Sequence, residues 1–304
     1  MAPYADAVPD HPYRLSRRAL LTGGGAVAGL GAAGALVAQT EGLPGRSWLY
    51  GHLGLDGKDG NVPDAAGGQV VRGELVSQAR LGAACGWAVA LPPGSALDDG
   101  LPVVLALHGH GNDHTSAFAR DRLALDRFLA DAVASGTAPY AIASVDGGDS
   151  YWHARDTGED AGAMVVDEFL PLLAERGLDT GRTALLGWSM GGFGALHLAP
   201  RIPGLRGVAV MSPALWHEFG DTRPGAYDDE DDFADVTVFG REASLTDIPL
   251  RVDCGEGDPF YAATRDYVDL LDPRPAGGFT LGDHDVGYWR RVVPGQLAFL
   301  AERF

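Results

Sequence analysis

The stretch Gly187-Trp188-Ser189-Met190-Gly191-Gly192 constrains this chain more than any other. The apolar run Arg182-Thr183-Ala184-Leu185-Leu186 before it reads as a buried strand. Phe193-Gly194-Ala195-Leu196-His197-Leu198-Ala199 follows and reads as a helix stopped by Pro200. So sharp a passage from strand to helix needs glycine at 187 and 191, because a side chain at either would keep the two elements from passing. Ser189 is left at the tip with its hydroxyl exposed and a helix N-terminus behind it, the posture of a nucleophile.

The rest of the chain supplies the sheet that such a turn requires. Gln69–Ser77 and Cys85–Leu91 alternate apolar and polar residues as two antiparallel strands. Pro102–Leu107 is a buried strand feeding the loop His108-Gly109-His110-Gly111, and Ser116–Ser135 has apolar residues at helical spacing. Further strands are expected at Tyr140–Val145, Gly207–Met211, Pro249–Cys254 and Phe279–Leu281. Helices are expected at Met164–Arg176, through Tyr267–Leu271, and over Val286–Arg303. Strands alternating with helices imply an α/β fold, a mostly parallel central sheet with helices on both faces. Sites in such sheets gather at the carboxyl ends of the strands. Ser189, Asp258, His284 and the His108–Gly111 loop all follow predicted strands, so they can converge on one edge.

The order Ser189…Asp258…His284 is the triad order of α/β-hydrolases. With Leu107-His108-Gly109-His110-Gly111, Ser212-Pro213, Asp253-Cys254-Gly255-Glu256-Gly257-Asp258, and Gly282-Asp283-His284 followed by Tyr288-Trp289, the chain resembles the esterase D family of α/β-hydrolases. That family includes S-formylglutathione hydrolases and secreted mycolyltransferase antigens. The likeness runs from Gln69 to Phe304 and implies an α/β-hydrolase fold and a serine esterase or acyltransferase without a cofactor. In that reading His284 takes the proton of Ser189, and Asp258 orients the imidazole and stabilises its cation. The backbone N–H groups of Met190 and His110 would hold the oxyanion. Asp253 and Glu256 are alternative acids, although Asp253 falls inside its strand. Tyr151-Trp152-His153 stands where an acyl or alcohol pocket would be, or equally in core. His197, on the elbow helix, reads as a packed histidine.

Two competing chemistries use other features. His108, His110, Asp113 and His114 are similar to a zinc-hydrolase ligand loop, but one extra residue turns Asp113 and His114 off the ligand directions. A non-catalytic binding protein on a hydrolase scaffold would predict a broken triad, whereas all three members are present.

Composition bounds the partners. A net charge of −18 argues against nucleic acid and anionic membrane surfaces, which need a basic face. A small-molecule, lipid or sugar ester is the expected partner, and the oligomeric state is left open. Tyr227-Asp228-Asp229-Glu230-Asp231-Asp232 lies in an excursion, Ser212–Ser244, expected to pass over the sheet edge with its acids solvated. Residues 1–40 read as a twin-arginine export signal or anchor: Ser16-Arg17-Arg18 precedes an uncharged run from Ala19 to Ala38. Ala33-Gly34-Ala35 and Leu36-Val37-Ala38 both fit small-x-small cleavage, and the uncleaved run could span a bilayer. Residues 41–68 read as an irregular lead-in and 69–304 as the catalytic domain. Cys85 and Cys254 fall on strands far apart in the sheet, so two buried free thiols are expected rather than a disulfide.

Overall fold

The computed structural model describes residues 46–304. Eight strands form one sheet: β1 (Val70–Ser77), β2 (Ala83–Ala90), β3 (Pro102–Leu107), β4 (Ala141–Val145), β5 (Asp179–Trp188), β6 (Val208–Met211), β7 (Leu250–Gly255) and β8 (Ala276–Thr280). They lie in the order β1-β2-β4-β3-β5-β6-β7-β8. β2 pairs antiparallel with β1 and β4, and all other pairs are parallel. The interior strands are apolar on both faces because helices cover both. Val103, Leu105, Leu185 and Val210 feed one core; Val104, Ala106, Leu186 and Met211 feed the other.

The helices are α1 (Arg46–Leu53), α2 (Leu125–Ala134), α3 (Ala161–Ala163), α4 (Leu170–Glu175), α5 (Met190–Leu198), α6 (Glu230–Val236), α7 (Tyr261–Leu270) and α8 (Val286–Ala301). Five of these, α1, α2, α3, α4 and α6, differ from expectation. α2 begins only at Leu125: Leu123 N–H bonds Ser116 O and Leu125 N–H bonds Ala117 O, closing a loop through Ala124 at φ 53°. Phe118 and Leu123 are buried from that loop, so their helical spacing marked burial and not helix. Between α3 and α4 the chain widens into a π-helical stretch, Met164–Phe169. Pro171, which has no N–H to donate, starts the narrower turn after it.

The lead-in is less irregular than its composition suggests. Residues 46–53 form α1, Tyr50 is buried, and Arg291 donates to Lys58 O. The excursion 212–244 lies against α5, burying Tyr227 and Phe233 in the main core. Asp228, Asp229, Glu230 and Asp231 are exposed, as expected of solvated acids, and three of the run's acids also hold local structure. Asp228 binds Arg155 at 2.7 Å, Asp229 caps α6, and Asp232 accepts the Asp228 N–H at 2.8 Å. The Arg155 guanidinium, with the Asp156 amide, holds the Asp228 carboxyl below its usual pKa. Cys85 and Cys254 are both free and buried, on β2 and β7, with four strands between them. Residues 1–45, which carry the export motif, lie outside the described residues.

Candidate active site

β5 delivers Ser189 and α5 carries the chain away. Ser189 adopts φ 55° and ψ −123°, a conformation unusual for a residue with a side chain. Neighbouring bonds hold it there: its N–H donates to Met211 O at 3.0 Å, and its carbonyl accepts from Ala214 N–H at 3.0 Å. A Cβ on Gly187 would collide with the Gly191 carbonyl, and one on Gly191 with the Leu107 carbonyl. The glycines of the motif are therefore required by close backbone approach.

His284 Nε2 lies 2.9 Å from Ser189 Oγ, and its Nδ1 lies 2.8 Å from Asp258 Oδ2. A carboxylate only accepts, so Nδ1 carries the proton and Nε2 accepts from the serine hydroxyl. The other Asp258 oxygen accepts the Phe260 N–H at 2.8 Å, and the residue is 1% exposed. Burial works against a charged His284, but the Asp258 carboxylate, with Asp283 and Asp285 beside it, outweighs that and raises its pKa. Phe260 and Trp289 approach the imidazole edge-to-face at 5.2 and 5.1 Å. Trp289 is itself fixed by donating to Ser212 Oγ at 3.1 Å.

The acid and histidine loops are tied together: Gly257 N–H donates to Gly282 O and Glu256 N–H to Thr280 O, each at 2.8 Å. The rival acid Asp253 is occupied within its strand, bound by Arg251 at 2.7 Å and Gln296 at 2.6 Å.

The His108–Gly111 loop passes beside the serine. A Cβ on Gly109 would stand 3.2 Å from Ser189 Cβ. His108 is fully buried, and burial lowers its pKa, so the ring is neutral. Its Nδ1–H donates to Gly109 O at 2.9 Å and its Nε2 accepts the Gly147 N–H at 3.0 Å. Asp149 takes the Gly111 N–H at 2.6 Å, and Asn112 donates to His110 O at 3.0 Å. The loop is thus pinned beside the serine, and Met190 N–H is the first of α5 and has no intrahelical acceptor. With both His108 nitrogens committed and His114 packed against Gly86, this loop's histidines do not converge as zinc ligands.

Tyr151-Trp152-His153 divides. Trp152 fills the space left by Gly147 and Gly194 and donates to His108 O at 3.3 Å, so it supports the loop from below. His153 is fully buried, stacked on Tyr227 at 5.4 Å and bonded to Ala226 O at 3.0 Å. Both side chains are buried, at 1% and 0% exposure. The Tyr151 ring lies 6.2 Å from His110 and 5.7 Å from Trp216. Tyr151 is itself buried, at 3% exposure, whereas Trp216 and Phe260 are partly exposed and meet at 5.2 Å, with Phe260 against His284. Trp216 and Phe260 carried no motif; only the folded excursion and acid loop bring them together. A cavity of about 260 Å³ beside His284 is lined by Asn112, Arg122, His284 and Trp289 among others.

A family model described as "Putative esterase" matches residues 78–300. No curated protein matches the chain. Among solved structures, a ferulic acid esterase is 23% identical, with a TM-score of 0.63 over 79% of this chain and 100% of that one. Fluorophosphonate-binding serine hydrolase F of Staphylococcus aureus is 17% identical, with a TM-score of 0.63 over 78% of this chain and 99% of that one. An S-formylglutathione hydrolase from Agrobacterium tumefaciens is 17% identical, with a TM-score of 0.61 over 81% of this chain and 98% of that one. These likenesses carry the fold, and the family match carries the class. The chain belongs to the esterase family and is a carboxylic ester hydrolase with the α/β-hydrolase fold.

Proposed function

We propose that this esterase works through an acyl-enzyme on Ser189, with His284 as general base and acid and Asp258 as its orienting carboxylate. The observation that carries the reading is the pair of bonds on one imidazole, to Ser189 at 2.9 Å and Asp258 at 2.8 Å. Ser189 Oγ attacks the ester carbonyl as its proton moves to His284 Nε2. The N–H groups of Met190 and His110 receive the oxyanion; losing one such donor costs about 10²–10³ in rate. The C–O bond to the alcohol breaks as Nε2 returns the proton to the leaving oxygen. Water, deprotonated by the same nitrogen, then releases the acid and restores the serine.

The partly exposed Trp216 and Phe260 beside His284 support a flat or bulky apolar portion in the ester, and the ferulic acid esterase neighbour agrees with an aromatic acid. Transfer of the acyl group to a second alcohol, as in mycolyltransferases, uses the same acyl-enzyme and differs only in the acceptor. Residues 1–40 are proposed as a twin-arginine export segment. Among the described residues no helix is long and apolar enough to cross a membrane.

The test is a fluorophosphonate adduct mapped by peptide mass, followed by turnover of p-nitrophenyl esters of rising chain length and an aromatic methyl ester, with and without sugar acceptors. Label on Ser189 alone is expected. A folded, active protein labelled elsewhere would overturn the assignment.

A further inference from the structure

The elbow helix has two ends. Ser189 stands at one, and behind the other is a separate cavity of about 480 Å³ that the ester chemistry does not use. This lies within the ~300–1,000 Å³ of small-ligand sites. Leu196 and Pro200 at the end of α5, Val238 and Leu245 from the excursion, and Tyr267 of α7 give it an apolar body. Arg201 and Arg241 give it its charge.

That charge runs against the rest of the molecule. The chain has 41 acidic residues against 23 basic ones, yet this lining holds two arginines and no carboxylate. Neighbouring acids engage the pair only loosely, Arg201 through a single long ion pair to Asp160. Asp160 spends Oδ1 on the Ala163 N–H, and its Oδ2 comes only to 4.0 Å from Arg201. Glu242 accepts the Gly240 N–H at 2.9 Å. Arg241 makes one long bond, 3.4 Å, to Ala234 O. His197, also in the lining, donates from Nδ1 to Val236 O at 3.1 Å and stacks on Phe193, so its ring is a fixed wall.

An apolar body with two exposed arginines on its lining selects a ligand with an apolar chain or ring and a planar anionic head. Guanidinium pairs with carboxylate in a two-point fork, which a neutral amide cannot reproduce. The acid released by ester hydrolysis is itself of this type. We propose that the cavity between the C-terminal end of α5 and the segment 237–245 is a second, non-catalytic site that binds an amphipathic carboxylate. The binding claim does not depend on the role of Ser189.

Octanoate is the probe and octanamide its neutral counterpart, titrated calorimetrically into the full chain carrying Ser189→Ala. One octanoate per chain is expected, with octanamide at least tenfold weaker. Arg201→Gln with Arg241→Gln should weaken octanoate at least tenfold. Ser244→Trp, which fills the cavity and leaves both arginines, should do the same. Unchanged turnover of a neutral ester by these variants in the Ser189 background shows that they are folded. The proposal is overturned by no saturable binding, by equal binding of acid and amide, or by octanoate binding that survives both variants, which would place it in the cleft. Hydrolysis retained by Ser189→Ala would instead overturn the catalytic assignment and leave the binding result standing.

Discussion

Ser47 donates its hydroxyl proton to the Gly257 carbonyl at 2.9 Å, joining the lead-in to the loop that holds Asp258. Tyr50 packs on the same loop, where a Cβ on Gly257 would stand 3.0 Å from Tyr50 Cβ. Farther on, Gly60 N–H donates to Gly287 O at 2.8 Å, two residues past the loop of His284. A segment outside the matched family region therefore braces both partners of Ser189 from behind.

Removing that brace is expected to misplace the relay more than the cleft. A chain begun at residue 62 should lose kcat, by up to about 10²-fold, with KM little changed. Gly60→Val should act likewise, because its side chain would meet the Arg290–Arg291 backbone. Steady-state kinetics on one activated ester, beside circular dichroism, checks this. Full kcat in the shortened chain would show that the lead-in is dispensable.

Asp258→Asn should lower kcat by about three to four orders of magnitude, since an amide can favour the wrong imidazole tautomer. Glu256→Gln should cost little. The comparison decides the acid: a crippled Glu256→Gln beside a healthy Asp258→Asn would shift the assignment by two residues.

The raised pKa of His284 sets a pH dependence. Only the neutral imidazole can take the serine proton, so the acid limb of kcat/KM should lie above the ordinary histidine value of about 6.5. Asp258→Asn should move the limb of the residual activity downward, because the carboxylate that favours the cation is gone. A limb that stays in place would separate Asp258 from the electrostatics of His284.

His197 predicts an acid weakness of the fold. Burial, reinforced by His153, pulls its pKa to about 4. The unfolded chain therefore binds the extra proton from about pH 6.5 downward, while the folded chain resists until about 4. Stability contributed by the neutral ring is whole above pH 6.5 and is lost as pH falls towards 4, on the order of 3 kcal/mol. The stability difference between wild type and His197→Gln should accordingly shrink across that window. Urea denaturation at pH 7 and pH 4.5 measures it, and a constant difference would contradict the burial effect.

Two thiols per chain should titrate in denatured, unreduced protein, and both should react slowly when native. Burial pushes Cys85 and Cys254 up in pKa, and the sheet order keeps them apart. A count of zero would be incompatible with that strand order.

Export is tested at Arg17 and Arg18. Lysine at both positions keeps the charge but should leave the chain inside the cell, and export that survives the change counts against the twin-arginine assignment.

The sequence by itself determined what depends on local pattern. Gly187 and Gly191 announced the elbow because backbone atoms approach too closely there for any other residue. Both-sided apolar runs located β3, β5 and β7, and the order of Ser189, Asp258 and His284 foretold their meeting. Tertiary structure decided what rests on contacts between distant segments. Phe118 and Leu123 kept helical spacing but found burial in a loop, since their backbone bonds close on Ser116 and Ala117. Of the two readings left open for Trp152 and His153, burial matches the core one, because Gly147 and Gly194 open space for one and Tyr227 stacks on the other. The acidic run gained Arg155 as partner, and the Gly-rich lead-in became a brace, through pairings that spacing along the chain does not encode. Periodicity reports which residues avoid water; which neighbour covers them is settled only when the sheet is assembled.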